Sequence, residues 1–137
     1  MTTLLLDTHV FIWYVNGNEE LHKRTRNLID AATHANGLYL AAISLWEISM
    51  LDLKQRIILE MPCLEWINRA VKALHLQIVP ITPSIAVESC NLPGNFHGDP
   101  ADRLIIGTAR AEGLTLATRD ATILDYAKTK LLSAVKA

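Results

Sequence analysis

The sequence predicts an α/β fold, a three-layer α/β/α sandwich around a mostly parallel central sheet. Three observations lead there. Short apolar runs suited to buried parallel strands recur along the chain. Helix-length segments with apolar residues at helical spacing lie between them. The 137 residues fit a single domain, 1–137, able to bury about two-thirds of its unfolded surface without a disulfide or metal staple. Strands alternating with helices in this way build sandwiches with a covered parallel sheet.

The elements follow in order. Thr3 to Leu6 is an apolar run for a buried strand. Thr8 to Val15 reads as a helix ending near Asn16-Gly17-Asn18, a turn signal. Glu19 to Ala35 places Leu21, Leu28, Ile29 and Ala32 on one helical face, and Asn36-Gly37 stops it. Leu38 to Ala41 is a second strand. Ser44, with Glu47 three residues on, has the pattern of a capping box opening the next helix.

Pro62 to Leu74 is amphipathic, with Ile67, Ala70, Val71 and Leu74 in register. Gln77 to Val79 is a short strand and Pro83 to Asn91 a helix. Leu92 to Gly98 is a loop. Asp99-Pro100 begins a helix that Gly113 ends, since Asp suits the N-cap and Pro the first helical position. Leu114 to Ala117 is a strand, Ala121 to Ala127 a helix, and Leu131 to Val135 a final edge strand.

Composition narrows the function. Half of the residues are hydrophobic and 20% are charged, which excludes a disordered or acidic-tail protein. The longest apolar runs, such as Leu38 to Ile43, are far too short to span a membrane. The N-terminus lacks a basic region, arguing against a secretory signal. Cys63 and Cys90 match no paired motif, so a reducing, cytoplasmic setting is expected. Thirteen basic residues against fourteen acidic give a net charge of −1. A nucleic-acid substrate would therefore need a local patch or metal ions to offset its phosphates. Lys23, Arg24 and Arg26, and the scattered Arg103, Arg110 and Arg119, read as solvated helix surface.

In parallel sheets ligands bind beyond the carboxyl ends of the strands. Asp7 follows the first strand, and Thr118-Arg119-Asp120 follows the last clear one. The second strand runs toward Ser44 and Glu47. Asp99 and Asp102 open the helix before the Leu114 strand. Each acid has a structural explanation on its own: Asp7, Asp99 and Asp120 as N-caps, Asp102 and Glu47 as first-turn acids. Together they would crowd like charges at one end of the sheet, which destabilises a fold. The crowding makes chemical sense if the acids hold a hard, oxygen-preferring cation.

Four segments in this order carry a family resemblance. They are Leu4-Leu5-Leu6-Asp7-Thr8, Ser44-Leu45-Trp46-Glu47-Ile48, the run His97-Gly98-Asp99-Pro100-Ala101-Asp102-Arg103-Leu104-Ile105-Ile106, and Leu116-Ala117-Thr118-Arg119-Asp120. The chain resembles the PIN-domain family and, within it, the VapC-like toxins of bacterial toxin–antitoxin pairs. The resemblance implies a Mg²⁺- or Mn²⁺-dependent ribonuclease with Asp7, Glu47, Asp102 and Asp120 as catalytic metal ligands. Asp99 is an additional acid whose position suits both a helix cap and a metal donor. Thr8, Ser44 and Thr118 are placed either to orient carboxylates or waters or to serve as ordinary caps and turns.

Such a site hydrolyses phosphodiesters through a metal-activated water and needs no histidine. The five histidines show no metal-ligand spacing. Single-stranded or looped RNA is the expected substrate. The resemblance also implies a cognate antitoxin partner and a homodimer. The apolar residues around Trp46, Ile48, Leu53 and Trp66 exceed what a thin sandwich must bury, leaving some for a partner groove.

Two rival readings use the same residues. One is a phospho-acceptor or phosphatase-like domain with Asp7 as nucleophile, but His9 stands where a second Asp is wanted and no Gly-rich phosphate loop is present. The other is a PIN fold that only binds a partner, a reading that loss of an acid would have favoured.

Overall fold

The structure, a computed structural model, describes residues 3–137. Among these, five strands and seven helices alternate. They are β1 (Leu4–Leu6), α1 (Thr8–Asn16), α2 (Lys23–His34), β2 (Leu38–Ala41), α3 (Ala42–Leu53) and α4 (Cys63–Ala73). There follow β3 (Gln77–Val79), α5 (Pro83–Cys90), α6 (Pro100–Glu112), β4 (Thr115–Thr118), α7 (Ala121–Ala127) and β5 (Ala134–Lys136). No helix is long and apolar enough to cross a membrane among the described residues.

The strands form one sheet in the order β3-β2-β1-β4-β5, and every pairing is parallel. The alternation of side chains along β1 explains the layers. Leu4 and Leu6 enter one core with Phe11, Ile29, Ile48 and Trp66, from α1 to α4. Leu5 enters the opposite core with Ile105, Ile106, Ile123 and Tyr126, from α6 and α7. Both faces of the central strand are thus covered, as its unbroken Leu-Leu-Leu run requires. The helices on either side make the α/β/α sandwich.

The path of the chain locates a crevice. From β1 it moves outward to β2 and β3, then returns through α5 and α6 to place β4 on the other side of β1. The order reverses between β1 and β4. Segments leaving neighbouring strands in opposite directions open a crevice at their carboxyl ends, the usual ligand position in such sheets. Leu6 pairs with Ala117 in that register, so Asp7 and Thr118 emerge side by side.

Several expectations need correction. The second helix starts at Lys23 rather than Glu19, because residues 18–22 form a turn. The Asn18 side chain accepts from the Glu20 N–H at 2.8 Å, and Leu21 tucks into the core. Asn36-Gly37 does stop α2 as expected, with Asn36 taking the left-handed conformation at φ 56°. Ser44 is not an N-cap: β2 turns directly into α3 at Ala42, which buries Ser44 inside the first helical turn. The last strand is Ala134–Lys136, paired with β4.

The arginines read as solvated surface have structural partners. Arg103 donates to the carbonyls of Ser89, Cys90 and Phe96, closing the carboxyl end of α5. Arg110 pairs with Glu88 at 2.6 Å and donates to the Leu131 carbonyl. Arg26 donates to the carbonyls of Tyr14 and Asn18 and lies 5.4 Å from the Tyr14 ring centre. The apolar surplus also divides: Ile48 and Trp66 are buried, whereas Trp46 and Leu53 face solvent, as do Ile58 and Leu64 on the segment that follows.

Candidate active site

Asp7 ends β1 and caps α1. Its Oδ1 accepts the Thr8 backbone N–H at 2.8 Å, and its Oδ2 accepts the Thr118 hydroxyl at 2.6 Å. Both oxygens are held in a nearly buried position, 9% exposed. Burial raises the Asp7 carboxyl above the ordinary aspartate range, while these two hydrogen bonds pull it back.

Thr118 has a second task. Its hydroxyl oxygen accepts the Asp120 backbone N–H at 3.1 Å, so one side chain ties Asp7 to the turn carrying Asp120. Asp120 caps α7 through the Ile123 N–H at 3.0 Å. Thr8 repeats the pattern on the other side. Its hydroxyl donates to Glu47 Oε1 at 2.6 Å and lies 2.9 Å from the buried Ser44 hydroxyl. Glu47, one turn into α3, is thereby aimed back toward the end of β1. Burial raises its carboxyl, the Thr8 bond lowers it, and the charges of Asp7 and Asp99 push it further up.

Asp99 caps α6 by accepting the Asp102 backbone N–H at 2.8 Å. Asp102 then lies within the first turn. Partial burial and the charges of Asp99, Asp7, Asp120 and Glu47 push its carboxyl up to about 7. The charges of the four other acids all reach Asp102.

Asp7, Glu47, Asp99, Asp102 and Asp120 therefore line one cleft of about 360 Å³, together with Thr8, His9, Val10, Trp13 and Arg119. None of the five acids makes an ion pair among the described residues. No three His, Cys, Asp or Glu side chains among those residues form a closed metal-holding group; the acids stand as walls of the cleft. As a donor set, unpaired carboxylates that repel one another fit a hard divalent cation coordinated by oxygen and water. Soft thiolate ligands are lacking in the cleft, which disfavours soft metals.

The structure thus brings all five sequence-identified acids together, with Thr8, Ser44 and Thr118 as their hydrogen-bonding supports. His97 does not line the cleft. Sequence reasoning passed over Trp13 and Arg119 as cleft residues. A signal for Trp13 existed: His9 and Trp13 are four apart on α1, so they share the helix face that rises from Asp7. Arg119 had a local signal too, its place between Thr118 and Asp120 at the carboxyl end of β4, but the contacts that fix its side chain are distant in sequence.

Comparison with known proteins identifies the family and agrees with the fold. The family model described as "PIN domain" matches residues 4–129. Ribonuclease VapC22 of Mycobacterium tuberculosis is 42% identical over 120 residues, covering 88% of each chain. Among solved structures, VapBC2 from Rickettsia felis bound to a promoter DNA fragment has a TM-score of 0.72 at 16% identity, covering 98% of both chains. A toxin–antitoxin complex from Klebsiella pneumoniae has a TM-score of 0.61 at 23% identity, covering 97% of this chain and 96% of that one.

Proposed function

Because the chain belongs to the PIN-domain family, we propose that it is a divalent-metal-dependent endoribonuclease, the toxin of a toxin–antitoxin pair, hydrolysing RNA phosphodiester bonds. The observation that carries this reading is the set of five carboxylates, free of ion pairs among the described residues, in one cleft at the β1–β4 reversal. The 42% identity to a ribonuclease supports it independently.

Asp7, Glu47, Asp102 and Asp120 would hold Mg²⁺ or Mn²⁺, with Asp99 as an additional donor. The chemistry a divalent cation supplies in such a site is activation of water and charge relief on the phosphoryl oxygen. The chain's own residues prepare for it. Thr118 and Thr8 fix the carboxylates of Asp7 and Glu47, so little reorientation is left to bind. The amino end of α6, with its partial positive charge, lies beneath Asp99 and Asp102. A flexible single strand of RNA is the substrate expected to bend into this cleft.

The partner of this reading is a cognate antitoxin, by likeness to the solved complexes. Leu64 and Pro62 line an open groove along α4 with Glu65, Asn68, Arg69 and Lys72. This groove is where an amphipathic antitoxin segment would dock; Trp46 and Leu53 on α3 are further exposed apolar residues that a partner could cover. The chain acts as one PIN-like unit over 1–137, as a homodimer in the cytoplasm, where the free thiols of Cys63 and Cys90 stay reduced.

The test is cleavage of single-stranded RNA by the purified chain. Activity is expected with Mg²⁺ or Mn²⁺, lost on adding EDTA and restored by excess divalent ion. Equal cleavage in EDTA would overturn the metal-dependent reading. No cleavage of any RNA with either ion would overturn the ribonuclease itself.

A further inference from the structure

We propose that Arg119, seated on Trp13, is a phosphate-positioning residue that receives the RNA backbone beside the acids. The inference rests on the ribonuclease reading and adds a residue that the acid pattern does not contain.

Arg119 is the one Lys or Arg among the described residues that line the cleft. An arginine beside five carboxylates would be expected to neutralise one of them, yet it bonds to none. Its Nε donates to the main-chain oxygen of Ala137 at 2.6 Å, and its Nη2 donates to the Glu20 carbonyl. Its Nη1 reaches only the exposed Glu20 carboxylate, at a long 3.4 Å. The guanidinium carbon lies 4.9 Å from the Trp13 ring centre, a cation–π distance. These contacts fix the plane of the guanidinium at the cleft wall and leave two of its five N–H donors without a protein partner (five less the three bonded).

The arrangement answers a problem the fold sets for itself. A chain of net charge −1 with its acids gathered in one cleft repels a polyanion. A cation locked in the wall, held away from the acids by main-chain oxygens, supplies local attraction without quenching the metal donors. The planar fork of an arginine, held in one orientation, suits hydrogen bonding to the non-bridging oxygens of a phosphodiester. Trp13 orients the guanidinium by stacking, and its own ring, also in the cleft, gives an adjacent base an apolar surface.

The experiment compares the wild-type chain with Arg119→Gln, Arg119→Lys and Glu20→Gln. Kinetics of cleavage of a single-stranded RNA oligonucleotide are measured across a potassium chloride series, and each protein is melted in parallel. Arg119→Gln is expected to raise KM roughly tenfold, the size of one hydrogen bond to a charged group, with kcat much less affected. It should also flatten the dependence of log KM on log salt by about 0.7, one phosphate contact on a single strand. Arg119→Lys keeps the charge and loses the fork, so the salt slope should stay while KM rises several-fold. Glu20→Gln weakens the same anchoring and should leave the slope unchanged. If Arg119 only ties the chain together, Arg119→Gln will melt lower yet keep the wild-type KM and slope, and the proposal fails. Should Arg119→Gln not fold, a wild-type KM in folded Arg119→Lys overturns it equally. Failure of the wild-type chain to cleave RNA would refute the ribonuclease reading and this inference with it, whereas an active wild type with unaltered variants refutes only the inference.

Discussion

The Thr118 hydroxyl donates a 2.6 Å hydrogen bond to Asp7 Oδ2, joining residues 111 positions apart across the β1–β4 reversal. The same oxygen accepts the Asp120 N–H. Two acids from opposite ends of the chain are therefore set by one β-branched side chain, which is stiff about its first torsion.

Thr118→Val keeps the shape and removes both bonds. A buried carboxylate then loses a donor, at a stability loss of about 1–3 kcal/mol, and the Asp7 carboxyl should rise further. Cleavage is expected to fall by about 10- to 100-fold, as when outer partners of metal ligands are removed. Thermal melting and cleavage rates with Thr118→Ser as the rescuing control check this.

Asp99 and Asp102 should separate. Asp99→Ala removes the N-cap bond of α6 and should lower stability by about 1 kcal/mol, with cleavage persisting at low temperature. Asp102→Asn should abolish cleavage while leaving the metal-free protein as stable or more so, because repulsion among the acids falls. A dead, well-folded Asp99→Asn beside a fully active Asp102→Asn would exchange the two assignments.

The pH dependence follows from Asp102. Its carboxyl is pushed up to about 7, above its ordinary value of 3.8, so between about pH 4 and 7 the folded state binds a proton that the unfolded state has released. The destabilisation by this charge is fully present above pH 7 and is relieved as pH falls toward 4. Metal-free wild type should therefore be less stable than Asp102→Asn at pH 7.5, and the gap should close on moving to pH 5. A gap that widens with acidification contradicts the sign.

Gly107 tests the packing behind the site. A Cβ added there would stand 2.2 Å from Ser89 Oγ and 3.1 Å from Ser89 Cα, because α5 and α6 approach closely at this point. Gly107→Ala should destabilise the protein by about 1–3 kcal/mol through overpacking, despite alanine's better helix propensity. Urea unfolding of Gly107→Ala, alone and with Ser89→Ala, measures the clash and its partial relief.

Much of this architecture was legible in the sequence, and for identifiable reasons. Leu4-Leu5-Leu6 reads as a strand covered on both faces, and the parallel sheet follows from it. Asp99-Pro100 with Gly113 marks both ends of α6 by local chemistry alone. The acids were found because ligand sites lie beyond strand ends. What local chemistry could not show were the roles set by contacts between distant segments. Ser44 looks like a cap beside Glu47, and only the direct passage of β2 into α3 makes it a buried neighbour of Thr8. Arg103, Arg110 and Arg119 look like surface charges, and their partners are carbonyls and carboxylates at least seven residues away.

Asp7→Asn tests the central claim most directly. Asparagine caps a helix as well as aspartate does, so α1 and the contact with Thr118 should survive while the charge is lost. Cleavage of single-stranded RNA with Mg²⁺ or Mn²⁺ and the melting temperature are measured on the same preparation. Loss of cleavage by more than about a hundredfold, beyond what an outer-shell partner alone accounts for, with a melting temperature equal to or above wild type, is the predicted result. Wild-type cleavage by a well-folded Asp7→Asn protein would contradict the assignment of the β1 carboxylate to the reaction.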